Sequence, residues 1–190
     1  MENLQKFYIN GEWVTPQSKN TMPVMNPATE EQIGIVAMGN VDDVNLAVSA
    51  ANTAFEIFSQ TSKEERLNLL LKIQEVTKNR FEDLVQAMSL EMGAPMTMAR
   101  DAQADAAIGH LDGFIEALKK LEDYVTLPNG DVLCKEPIGV CGLITPWNWP
   151  INQITLKVLP AIATGCASIL KPSEHTPLSA VVYTEILHEA

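Results

Sequence analysis

The sequence predicts an α/β protein, and three observations carry that prediction. Its last fifty or so residues read strand, helix, strand, helix, and both strands are short, apolar runs ending at polar loops. The stretch before them is dominated by apolar residues at helical spacing. Two Asn-Gly pairs, Asn10-Gly11 and Asn129-Gly130, lie between β-branched and aromatic residues, the pattern of tight hairpin turns.

Each element has a local cause. Phe7 to Val14 form the first hairpin around Asn10-Gly11. The turn-rich Asn26-Pro27-Ala28-Thr29 leads into an extended piece from Gln32 to Ala37. Asp42 and Asp43 open a helix that runs to about Phe58. Ser62 and Glu65 have the spacing of a capping box. Leu67, Leu70 and Leu71, then Phe81, Leu84, Val85 and Met88, predict two helices, or one bent one, stopped by Gly93. Thr97 to about Leu121 is an Ala-rich helix whose Asp101, Asp105, Asp112 and Glu116 form a solvated face.

The second hairpin follows, around Asn129-Gly130. Ile138 to Ile144 is a glycine-spaced apolar run, expected as a strand buried on both faces. A helix from Asn152 to Thr164 is stopped by Gly165, a strand covers Ala167 to Leu170, and Pro177 starts the last helix. A right-handed crossover between the two strands is expected. Two parallel strands make too small a sheet to stand alone. The chain is therefore expected to be the front part of a longer protein, or a truncated copy of one.

Composition narrows the function. The chain has 190 residues, enough for a packed core, with 46% apolar and 19% charged residues. Its net charge is −11, which disfavours nucleic acid and anionic membrane surfaces as partners. The charge-free stretch from Ile138 to Leu156 holds Pro146, Asn148, Pro150, Asn152 and Gln153, too many breakers and polar groups for a spanning helix. Cys134, Cys141 and Cys166 show no CxxC spacing, so neither a disulfide framework nor a metal site is expected. All three read as small buried apolar residues. The N-terminus lacks an apolar core of signal-peptide length, which makes the cytoplasm the expected compartment.

The segment from Glu136 to Ala180 carries the chemistry. It contains Pro146-Trp147-Asn148-Trp149-Pro150 and, after a helix bearing Lys157, Lys171-Pro172-Ser173-Glu174. These blocks, in this order and spacing, resemble the aldehyde dehydrogenase superfamily, and the opening FYINGEWV and NPATEE segments extend the similarity along the whole chain. The resemblance implies a Rossmann-like cofactor-binding domain, incomplete here, with a projecting β-hairpin arm. Residues 1–123 would form its N-terminal part, 124–136 an oligomerisation arm, and 137–190 the start of the parallel βαβα unit. The implied reaction is NAD(P)-dependent oxidation of an aldehyde to a carboxylic acid in a homo-oligomer.

Residue chemistry stands beside the resemblance. Open α/β sheets bind ligands at the carboxyl ends of their strands, and two prolines brace Asn148 there. An amide NH₂ aimed at a carbonyl oxygen stabilises developing negative charge by about 3 kcal/mol. The resemblance gives Asn148 this oxyanion role; the plain alternative is a turn residue capping Asn152-Gln153. A carboxylate just past a strand suits the two hydroxyls of an adenosine ribose. The resemblance assigns this to Glu174, with Lys171 donating to the same sugar and Ser173 in the same loop; the alternative is a surface ion pair. Glu174 favours NAD, with NADP still possible. Ile144, Thr145, Pro146 and Trp147 would pass near the nicotinamide ribose. Lys157 is placed near the active site by the resemblance, or is a solvated helix lysine. Asn152, Gln153 and Leu156 are candidates for the aldehyde tunnel.

The family's reaction uses a cysteine thiolate and a general-base glutamate. Both are expected beyond Ala190, and no cysteine here fits the nucleophile. The 190 residues alone are therefore expected to be inactive. Two other readings stay open: a CoA-acylating or semialdehyde dehydrogenase relative, and a non-catalytic copy serving as a partner-binding module.

Overall fold

Asn10 and Gly11 both take positive φ, 54° and 79°. That geometry matches the twist of a tight hairpin, so β1 (Phe7–Ile9) and β2 (Glu12–Val14) pair antiparallel across it. The structure is a computed structural model and describes residues 2–190. A second hairpin joins β3 (Thr21–Asn26) to β4 (Glu31–Ala37), with a bulge at Val24/Met25. The expected strand near Gln32 is present. Its partner β3 is an addition that the sequence hides, because Pro23 argues against a strand there.

The helical part follows the caps. Asn40 and Asp43 cap each other at the start of α1 (Val41–Phe58), and Ser62 and Glu65 do the same for α2 (Lys63–Asn79). Asp43 is buried and also accepts the amides of Gln17 at 2.6 Å and Ser18 at 3.2 Å. Burial pushes its carboxyl up, but three backbone amides outweigh that and hold it below the usual value. After α3 (Phe81–Met92), Gly93 turns left-handed at φ 62°. A Cβ there would sit 3.0 Å from Pro27 Cγ and 3.1 Å from the Ala28 nitrogen, so only glycine fits this turn.

The predicted Ala-rich helix is continuous but not uniform. α4 (Met96–Met98) passes through a π-helical segment (Ala99–Ala104) into α5 (Asp105–Lys120). Its acidic residues lie on the exposed face, as expected. A core of Leu70, Ile73, Leu84, Leu111, Ile154 and Tyr183 joins α2, α3, α5, α6 (Pro150–Ala163) and α7 (Pro177–Glu189). Arg80 ties α7 to the α2–α3 junction through Glu185 at 2.9 Å and Glu189 at 3.2 Å.

β5 (Tyr124–Thr126) and β6 (Val132–Cys134) form the hairpin around Asn129-Gly130. Val132, Leu133 and Cys134 are exposed. The expectation that Cys134 is buried is therefore corrected: the β6 side chains of this hairpin are exposed to solvent.

β7 (Val140–Ile144) and β8 (Ala167–Lys171) pair in parallel, with Cys141 opposite Ser168 and Ile144 opposite Lys171. α1 and α6 both pack against this pair. A second correction concerns β7, which is not buried on both faces. Its residues are half-buried or exposed, and Ile144 is 71% exposed. Among the described residues the sheet has only these two strands, so each has an open edge and α1 and α6 cannot enclose both. No helix among the described residues is long and apolar enough to cross a membrane.

Candidate functional site at the carboxyl edge of the parallel pair

The register of β7 and β8 sets the site. Ile144 and Lys171 are directly paired, so the loops that follow both strands leave the sheet at the same edge. The Thr145 amide donates to the Lys171 carbonyl at 3.2 Å and carries the pairing one residue into the loop. Thr145 is buried, while Pro146, Trp147 and Asn148 are exposed and Trp149 is half-buried. Pro150 occupies the first turn of α6, where a missing N–H costs nothing.

Asn148 makes no side-chain cap on α6. The helix starts at Trp149 without one, and Gln153 donates instead to the Trp149 carbonyl at 3.1 Å. The capping alternative for Asn148 thus lacks its hydrogen bond, and the exposed amide stays available to a ligand. Asn152 bonds His110 Nε2 of α5 at 2.7 Å, a contact between helices that sequence spacing does not signal.

The second loop supplies charge. Lys171 Nζ lies 2.9 Å from Glu174 Oε2. The Glu174 carboxyl is held below its usual value, first by its own backbone amide and then by Lys171. Ser173 is buried and turned inward, and its hydroxyl accepts the His175 amide at 3.3 Å. It shapes the loop rather than facing outward with Lys171 and Glu174.

Lys157 is placed elsewhere. It lines a cavity of about 340 Å³ with Cys141, Leu143, Pro160, Thr164 and Cys166, beside α6. The structure thus brings Ile144, Thr145, Pro146, Trp147 and Asn148 to one edge with Lys171 and Glu174. It sets Lys157 against a different surface of the sheet.

Glu91 is a group the sequence reading missed. It lies near the end of α3 and is 3% exposed. Its carboxylate accepts the Leu178 amide at 2.6 Å, the Ser179 amide at 3.2 Å and the Ser179 hydroxyl, at the first turn of α7. Burial pushes its carboxyl up to about 7 against these donors. No local signal marks it, because its partners are 87 and 88 residues away.

The braced amide and the Lys-Glu pair follow the same edge of the parallel strands, and comparison with known proteins gives the chain a family. The sequence profile of the Aldehyde dehydrogenase family matches residues 13–190. The chain belongs to the aldehyde dehydrogenase family. A 3-succinoylsemialdehyde-pyridine dehydrogenase from a Pseudomonas species is 44% identical over 100% of this chain and 40% of its own length. An aldehyde dehydrogenase from Bartonella henselae superposes with a TM-score of 0.95 at 44% identity, over 97% of this chain and 40% of that one. A variant of AldC from Pseudomonas syringae, solved with NAD+ and octanal, also has a TM-score of 0.95, at 46% identity over 98% of this chain and 38% of that one. The chain spans about two fifths of the length of these aldehyde dehydrogenases.

Proposed function

We propose that these residues form the cofactor-facing part of an NAD-dependent aldehyde dehydrogenase. The observation that carries the reading is the shared edge: two loops, one with a free amide and one with a Lys-Glu pair, leave paired parallel strands side by side. The complexes of related enzymes with NAD+ support the same cofactor here.

The residues present fit a dinucleotide. Glu174, held ionised, accepts the two hydroxyls of the adenosine ribose, and Lys171 donates to the same sugar once the pair opens to it. Ile144 and Trp147 offer exposed apolar surface toward the nicotinamide end, with Thr145 and Pro146 fixing the backbone between them. Bound NAD would supply the hydride acceptor. Asn148 orients the aldehyde and donates its amide to the carbonyl oxygen as negative charge develops there. Ser173 shapes the ribose loop. Lys157 is given no step here, because Asn148 is not among the residues that line its cavity.

None of the three thiols is the nucleophile on this reading. Cys134 sits in the exposed hairpin, and Cys141 and Cys166 lie toward the amino end of the strand pair. On this reading the exposed hairpin at 124–136 is an arm for assembly of subunits.

Equilibrium titration tests the reading. Trp147 stands at the proposed edge, so NAD should change the intrinsic Trp fluorescence of the protein. Glu174→Ala should abolish that change while circular dichroism stays unaltered. An unchanged NAD affinity in Glu174→Ala would reject the assignment.

A further inference from the structure

The cavity beside α6 does not belong to the edge proposed for the dinucleotide, and two of the three thiols open onto it. The ladder explains why they meet. Cys141 is opposite Ser168, and Cys166 precedes Ser168 by two residues, so both side chains face the same side of the sheet. Cys141 lies inside β7. Cys166 lies just before β8, after Gly165 at φ 77°, and so outside the ladder. The two thiols line the same cavity and each bears on the other's ionisation.

Their surroundings differ. Burial pushes both thiols up. At Cys166 this is outweighed by donors: the Thr164 hydroxyl, the backbone amides of Ile138 and Gly139, and the Cys141 thiol. The Thr164 hydroxyl lies 3.5 Å from Cys166 Sγ but only 2.8 Å from the Pro160 carbonyl, and it has one proton to give. The amides of Ile138 and Gly139 are therefore left as the donors that lower the Cys166 thiol. Lys157 and Glu136 both line the cavity and offset each other in formal charge. Cys141 keeps its proton more firmly. A thiol held low beside one held high is the arrangement of an attacking and a resolving cysteine.

We propose that Cys141 and Cys166 form a peroxide-reactive dithiol that closes to a reversible disulfide beside α6. The Cys166 thiolate attacks one oxygen of a hydroperoxide. The O–O bond breaks, Cys166 becomes a sulfenic acid, and the departing oxide takes up a proton. Cys141 then attacks the sulfenic sulfur, the S–O bond breaks, and hydroxide leaves with the Cys141 proton as water. The two thiols are oxidised by two electrons and the peroxide is reduced by two. Because Cys166 precedes the strand, it can approach Cys141 without breaking a β7–β8 pair. This inference is independent of the cofactor reading.

Hydrogen peroxide on the purified protein, followed by intact mass and non-reducing peptide mapping, tests it. The expected result is a loss of about 2 Da and one linked peptide pair joining Cys141 to Cys166, both reversed by dithiothreitol. In Cys141→Ser, dimedone should trap a sulfenic acid at Cys166. In Cys166→Ser, Cys141 should react at least about tenfold more slowly. The proposal is overturned if both thiols stay reduced at a peroxide dose that oxidises the exposed Cys134. It is overturned equally if Cys141 in Cys166→Ser is trapped as fast as Cys166 in Cys141→Ser. The wild-type mapping needs no variant, so the test stands even if a substitution impairs folding.

Discussion

On the proposed reading, Asn148 carries the most chemistry for its size. Its side chain is exposed at the strand edge, between two prolines, and caps nothing. In an aldehyde dehydrogenase of the relatives' full length that carries this segment, Asn148→Ala should lower kcat by about a hundredfold to a thousandfold with little change in the KM for NAD, the signature of a donor used in the transition state. Steady-state kinetics with a good aldehyde substrate would show the split. Lys171→Ala should do the reverse, raising the KM for NAD by about tenfold while kcat moves little, because a charged hydrogen bond to the sugar binds ground and transition states alike. Tyr183 illustrates a different residue-scale effect. It is fully buried in α7 and its hydroxyl has no partner among the described residues. Tyr183→Phe should therefore stabilise the fold by about 1 kcal/mol, read from urea unfolding.

At the scale of elements, α7 is held at both ends by groups from distant helices. Arg80 grips its last turn, and Glu91 reaches its first turn from α3. Burial raises the Glu91 carboxyl to about 7, above its ordinary value of 4.5. Between those values the folded state holds a proton that the unfolded state has released. The Glu91 contribution to stability is thus full below about 4.5 and is lost as pH rises through about 7, a difference on the order of 3 kcal/mol. Asp43 works the other way at lower pH. Its carboxyl is held down, so its contribution is lost on acidification below its ordinary value of 3.8. Urea midpoints measured from about pH 5 to pH 8 should fall with rising pH in the wild type and stay flat in Glu91→Gln. α7 begins directly after the Lys171–Glu174 loop, so the same latch supports the proposed ribose site.

At the scale of the whole molecule, the helices make one core while the strands among the described residues make four separate pairs. The parallel pair has open edges, and Ile138 and Ile144 are 88% and 71% exposed beside it. No described thiol stands at the edge that would present an aldehyde. The 190 residues by themselves should therefore give no NADH from any of a panel of aldehydes, followed at the NADH absorbance band. Turnover by this chain would mean that one of its own cysteines reaches the carbonyl.

Much of the molecule is written in local residues. The turn at Asn10-Gly11, the Ser62 box, the Gly93 stop and the Pro177 start depend on neighbours a few positions apart, and the structure keeps them; the hairpin at Asn129-Gly130 also forms, but across a longer loop in which Gly130 and not Asn129 takes positive φ. The proline-braced loop and the Lys-Glu pair are legible for the same reason, since each is contiguous. The hidden features are those made by distant partners. β3 exists because β4 pairs with it, despite Pro23. Glu91 is buried because α7 brings two amides and a hydroxyl to it from 87 and 88 residues away. Cys134 is exposed because no element among the described residues covers its hairpin, and Lys157 faces the cavity because of how α6 is rotated on the sheet. Sequence determines conformation through short-range sterics and capping; burial, and with it the ionisation and meeting of side chains, is decided only when the elements pack.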